Sequence, residues 1–288
     1  MLRPFEFCEP TSVAEASGLL ARHGENARIY AGGTELLLAM KMGLLQYEHL
    51  VSIKGISSLA GIRFDDGAKA LRIGGATRHR EIELSPVVRE RFPAIAQMES
   101  HVANVRVREQ GTIAGNLCFA EPHADPGTLL QVYDATVTLE KADGRRTVPL
   151  EKLFVGPFEV ALEADEILSE ITVPALHPKM AAAYLKFGIL ERPSVGVGVA
   201  LGLNGGGVKE VRIAVGCVGP VPRRMREAEA MLAGKSLAEA EALLPAAGEA
   251  AARAADAVSD LHGGADYKEH LVKVLIGRAF QAARQQLA

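Results

Sequence analysis

Cysteine is scarce in this chain. Its 288 residues hold three, Cys8, Cys118 and Cys217, widely spaced and without a CxxC pair. They form no disulfide framework, which suits a reducing compartment. Three thiols also cannot supply the four ligands of an ordinary iron–sulfur cluster. A basic excess is missing: the formal charge is -3, whereas a phosphate-backbone partner calls for a basic face. No apolar run approaches the roughly 20 residues of a membrane span. The opening "MLRPFEFCEP" has no apolar signal core, so a cytoplasmic location is expected. The eight histidines include no HExxH and no close His/Cys cluster, so no metal site is expected. Gly-Lys-Ser/Thr, G-x-G-x-x-G and a nucleophile elbow around Ser85 are absent as well, which removes the Walker loop, the Rossmann fingerprint and the serine-hydrolase motif.

What is present reads as a soluble α+β protein, 48% hydrophobic and 23% charged, long enough for two domains. "TSVAEASGLLARHG" predicts a helix with Ser12 as N-cap, Glu15 completing a capping box and Gly24 as the stop. "ARIYAGG" predicts a strand running into a double glycine. Thr34 is placed to cap the next helix, which Gly43 can end. Asp66-Gly67 and Asp143-Gly144 mark hairpin turns. "TRHREIELSPVVRERFPAIAQMESHVA" predicts helix, with His79 and Arg80 on a helix face. "GTIAGNLCFAEPHADPGTLLQVYD" predicts a glycine-bearing loop before a short helix. "EILSEITVP" predicts a strand, and "ALHPKM" marks a boundary. Beyond it come strands, among them "SVGVGVALGL" with Val195, Val197 and Val199 as core, and then alanine-rich helices. The pair Arg223-Arg224 reads as a solvated helix start.

Two stretches suggest chemistry. In "YAGGTELLLAMKMG" a strand meets a helix through Gly32 and Gly33. Glycine lets an anion approach the backbone, and the free N–H groups of a helix start point toward it. A tight turn needing positive φ is the alternative reading. "GTIAGN", residues 111–116, repeats the pattern far away in sequence. Two such loops could hold the two phosphates of one dinucleotide.

The ordered set "AGGTELLLAMKMG", "IGGATRHREIELSP" and "GTIAGNLCFAEPHADP" resembles the FAD-binding medium subunit of the molybdenum hydroxylases, the xanthine dehydrogenase and carbon monoxide dehydrogenase family. "VPRRMREAEAMLAGK" and "YKEHLVKVLIGRAF" are similar to that family's C-terminal domain. The resemblance covers nearly the whole chain. It implies a vanillyl-alcohol-oxidase-like (PCMH-type) FAD-binding domain over 1–176, with subdomains about 1–56 and 57–176. A C-terminal α+β domain with a small antiparallel sheet and helices follows over 177–288.

It further implies noncovalent FAD along Ala31, Gly32, Gly33, Thr34 and Glu35 and along Thr112, Ile113, Ala114, Gly115 and Asn116. The Glu35 side chain is expected to face away from the diphosphate. Asp125 matches a flavin-side position, and "ADPGTLL" also suits an N-cap there. Lys186 matches a lysine near the flavin ring; a strand lysine on a solvated face is the alternative. Relatives often carry an Arg-x-x-Asp-like pattern downstream, where this chain has "ERPSVGVG". No side chain is expected to act as catalyst toward an organic substrate. The implied partners are a small subunit with 2Fe-2S clusters and a large molybdopterin subunit, in a dimer of heterotrimers. Electrons from the clusters would pass through FAD to an external acceptor. A free-standing vanillyl-alcohol-oxidase-like flavin oxidoreductase is the other class considered.

Overall fold

The computed structural model describes residues 2–188 and 191–287. It is a mixed α+β fold built on three main sheets. The first is parallel, with Glu6–Cys8, His49–Ser52 and Ala27–Tyr30 side by side in that order. The helix Val13–His23 packs on it. Ser12 caps that helix by accepting from the Glu15 N–H at 3.2 Å, and Gly24 ends it at φ 53°. The Glu15 carboxylate accepts from the Thr11 N–H, one residue earlier than a standard capping box.

The second sheet is antiparallel, in the order Ile62–Asp65, Ala70–Gly74, Ile167–Pro174, Thr136–Lys141, Gly144–Pro149. Both expected hairpins are present. In the first, however, the left-handed residue is Lys69 at φ 49°, not Gly67. Helices His79–Leu84, Pro86–Arg91 and Pro93–Ser100 follow the hairpin, as the sequence suggests. Their apolar faces join the largest core, around Ile73, Phe92, Ile95 and Leu129.

The third sheet holds Met180–Phe187, Val195–Asn204, Gly207–Gly216 and the short Arg223–Arg224. Helices Arg226–Leu232, Leu237–Ala254 and Ala265–Gln285 cover one of its faces. Val195, Val197 and Val199 point into that core and are fully buried. The alternating glycines serve the opposite face, since neighbours on a strand point opposite ways. A Cβ on Gly198 would meet Val132 at 3.3 Å, and one on Gly216 would lie 1.9 Å from Thr128 Oγ1. Bare backbone here lets the helix Pro126–Val132 lie directly on the sheet. Arg224 is a correction to the sequence reading. It is a strand residue with a largely buried side chain, whose guanidinium pairs with Glu229 at 2.6 Å and Asp134 at 2.6 Å, not a solvated helix start. No helix among the described residues is long and apolar enough to cross a membrane.

Candidate FAD site

The two glycine segments meet in space. A Cβ on Gly32 would lie 2.5 Å from both the Gln110 carbonyl oxygen and Gly111 Cα. One on Gly115 would lie 3.8 Å from the Ala31 methyl. Gly33 adopts φ +74°, and a Cβ there would fall 2.3 Å from the Tyr30 ring. The tight-turn reading therefore applies. Gly32 and Gly33 are needed for local packing before any ligand is considered.

Around this contact, two expectations need correction. Thr34 caps no helix: the helix runs Leu36–Lys41, its first-turn neighbour is Glu35, and no side chain caps it. The chain spends one more turn before the helix begins, with Leu37 N–H reaching back to the Gly33 carbonyl. "GTIAGN" is not a loop either. Residues Ile113–Phe119 are helical, and Thr112 Oγ1 caps them by accepting from the Gly115 N–H at 3.1 Å. The seam thus joins a turn to a helix start.

Polar groups along this seam lack protein partners. Among the described residues, no hydrogen bond uses the N–H of Gly32, Gly33, Thr34 or Glu35. Asn116 Oδ1 is buried and unpartnered. Buried polar atoms without partners are rare in native folds. A row of free donors suits an anionic diphosphate, and an orphan acceptor suits an N–H or O–H donor of the rest of a dinucleotide. The residues fit FAD.

Asp125, expected on the flavin side, is nearly fully buried. It does not cap the helix Pro126–Val132 with its side chain. Instead it accepts from Tyr184 at 2.7 Å and Lys186 at 2.8 Å. Lys186 also donates to the His101 carbonyl at 2.6 Å. The solvated-face alternative for Lys186 is therefore wrong. Burial pushes the Asp125 carboxyl up, and the Lys186 ammonium pulls against it. Burial likewise pushes up the Tyr184 hydroxyl and the neighbouring Cys217 thiol. The cluster is a charge-compensated, water-poor pair, not a lone cation.

Sequence reasoning missed Arg192. Its guanidinium bridges Glu35 at 3.1 Å and Glu121 at 3.0 Å. It lies in "ERPSVGVG", the stretch that departs from the family pattern. His123 Nδ1 donates to the Pro193 carbonyl at 2.8 Å, and Asn104 donates to Glu191 at 2.7 Å. Residues 191–193 are thereby tied to Glu35 of the first glycine segment and to Asn104, Glu121 and His123, which flank the second. His79 was missed too. It does not lie on an open helix face but is buried, with Nδ1 2.6 Å from the fully buried Glu99. Its N–H donates to the Gly111 carbonyl at 3.0 Å, which holds the start of the second segment. Ile189 and Leu190 lie outside the described residues.

Comparison with known proteins agrees with this geometry. The family described as "FAD binding domain in molybdopterin dehydrogenase" matches residues 3–176. The "CO dehydrogenase flavoprotein C-terminal domain" matches residues 192–283. The carbon monoxide dehydrogenase medium chain of Hydrogenophaga pseudoflava is 36% identical over 281 residues, covering 97% of this chain and 96% of that one. The nicotine 6-hydroxylase medium subunit of Paenarthrobacter nicotinovorans is 31% identical, covering 98% of each. The solved carbon monoxide dehydrogenase from Hydrogenophaga pseudoflava, which lacks the Mo-pyranopterin moiety of its cofactor, superposes with a TM-score of 0.95 over 100% of both chains. The chain belongs to the FAD-binding subunits of the molybdenum hydroxylases. It is an electron-transfer subunit of a multi-subunit oxidoreductase, with PCMH-type architecture.

Proposed function

We propose that this chain holds FAD noncovalently along the seam of Ala31, Gly32, Gly33, Thr34 and Glu35 with Thr112, Ile113, Ala114, Gly115 and Asn116. The single observation that carries the reading is that seam, with its unpaired amides and buried orphan Asn116 oxygen. When bound, FAD supplies a centre that takes up electrons and hands them on.

The chain's own residues position it. The N–H groups of residues 32–35 donate to the diphosphate. Arg192 neutralises Glu35, so its carboxylate does not repel that anion at full strength. Thr112 orders the helix start by capping Gly115, leaving the Asn116 oxygen to accept from the cofactor. Lys186 would present an ammonium near the flavin, and Asp125, which accepts from it at 2.8 Å, would compensate most of its charge. None of these groups moves a proton on an organic substrate.

On this reading the division falls at 1–176, with subdomains about 1–56 and 57–176, and 177–288. The partners are a 2Fe-2S small subunit and a molybdopterin large subunit in a dimer of heterotrimers, in the cytoplasm. Electrons arrive from the clusters and leave to an external acceptor. Acid precipitation of the purified protein tests the mode of attachment. Free FAD in the supernatant is the expected result; flavin retained in the pellet would refute noncovalent binding.

A further inference from the structure

The edge strand Glu6–Cys8 runs parallel to His49–Ser52, with Glu6 opposite His49 and Cys8 opposite Val51. Side chains two residues apart on a strand share a face. Glu6 and Cys8 therefore project to one side, and the register sets His49 beside Glu6. One ligand atom of each, a carboxylate oxygen, the thiol sulfur and a ring nitrogen, lies within 4.8 Å of the others.

The Glu6–His49 contact is odd as an ion pair. Oε2 and Nδ1 are 3.3 Å apart, yet no hydrogen bond forms and Nδ1 is buried without a partner. Two ligand atoms each about 2.0–2.1 Å from a tetrahedral zinc ion sit about 3.3 Å from one another. The pair already has the spacing of one edge of a coordination tetrahedron. His23, the last residue of the helix Val13–His23, lays its ring against that of His49 with centroids 3.8 Å apart, which fixes the imidazole.

We infer that Glu6, Cys8 and His49 form a binding site for one divalent zinc-type cation. A thiolate, an imidazole and a carboxylate make a donor set that zinc accepts, and three protein ligands leave one position for water. The ion pins a short edge strand to the centre of its sheet. Phe7, on the opposite face of that strand, packs edge-on against Tyr30 at 5.3 Å. Tyr30 is the ring beneath Gly33, so the pinned strand buttresses the first glycine turn. The sequence concealed this site because His49 lies more than forty positions from Glu6 and Cys8 and meets them only through strand register.

The test uses the full-length chain, reduced and stripped of metal. Zn2+ is titrated against a chromophoric chelator while alkylation of each cysteine is followed by mass spectrometry. One Zn2+ per chain should bind, and Cys8 alkylation should slow by about tenfold or more because a ligated thiolate is a poor nucleophile. Cys118 and Cys217 serve as internal controls and should be unaffected. Co2+ in place of zinc should give a thiolate charge-transfer band. Cys8→Ser and His49→Ala should each weaken binding by about 100-fold. Glu6→Gln, isosteric and exposed, should weaken it while leaving the circular dichroism spectrum unchanged. Unprotected Cys8 at saturating Zn2+, no binding, or equal binding by Cys8→Ser would overturn the site.

Discussion

Gly33 meets two separate demands. Its φ of +74° lies in the left-handed region, and the space where a Cβ would stand is filled by the Tyr30 ring. Gly33→Ala should therefore cost on the order of 1–3 kcal/mol from backbone strain alone. Stability in urea and bound flavin should fall together, since the turn is common to both. Full flavin content in a destabilised Gly33→Ala protein would show that the turn does not touch the cofactor. Lys186 poses a different problem. Lys186→Met leaves Asp125 buried without its cation, and breaking such a pair typically costs about 3–5 kcal/mol. The double variant with Asp125→Asn should recover much of that loss. If Lys186 faces the flavin, a redox titration should also show a lower potential for the single variant. The fall should be well short of the ~4 kcal/mol that a bare charge 4 Å away could exert at an effective dielectric of 20, because Asp125 already offsets the ammonium. An unchanged potential would remove Lys186 from the flavin's surroundings.

At the level of elements, the helix His79–Leu84 and the helix Val105–Gln110 are clamped by Glu83. Its carboxylate accepts from Arg80 at 2.5 Å and Arg108 at 3.0 Å, and Gln110 leads straight into the Gly111 segment. Burial pushes the Glu83 carboxyl up, but the two guanidinium hydrogen bonds outweigh it and hold it below the ordinary carboxylate range. A folded-state pKa below the unfolded one gives stability that is complete above the ordinary range and is lost as pH falls through the folded value. Glu83→Gln should thus lie about 2 kcal/mol below the parent at neutral pH. The gap should close as both are taken to acid. Urea titrations across that range decide it; a gap that does not depend on pH would mean the loss is steric.

This level also shows what the sequence could convey. Local signals were legible: Ser12 and Gly24 bracket their helix, and the valines of "SVGVGV" find their core. Of two hydroxyls, Thr34 was misjudged as a cap and Thr112 was not read as one. Thr34 precedes Glu35 and Thr112 precedes Ile113, but only the Thr112 side chain caps a helix. Which of them caps depends on how the two segments pack, and that is tertiary information. The pairs His79–Glu99, Lys186–Asp125 and Arg192–Glu35 were invisible for the same reason. The residue types were evident, but nothing local says which opposite charge a buried group will meet.

For the whole molecule, the question is what the chain can do unaccompanied. Its candidate site gathers unpaired amides, an orphan oxygen and a neutralised Lys186–Asp125 pair. Among the described residues near that seam, several titratable groups are tied up in structural pairs: His79 with Glu99, His123 with Asp260, Glu35 and Glu121 with Arg192. Such a set can hold and tune a cofactor, but it offers no free acid or base to an organic molecule. The purified single chain should therefore bring flavin absorbance and exchange electrons with dyes, yet give no measurable turnover of aldehydes, purines or carbon monoxide. Co-expression with iron–sulfur and molybdopterin subunits should restore turnover of whichever substrate the large subunit selects. In that complex, Gly33→Ala should lower turnover in proportion to lost FAD and leave the substrate KM unchanged, because on the proposed reading binding and chemistry belong to another chain. A single chain that turns over such substrates as fast as the complex would instead mark a free-standing flavoenzyme. A KM shift in the Gly33→Ala complex would place part of the substrate site on this chain.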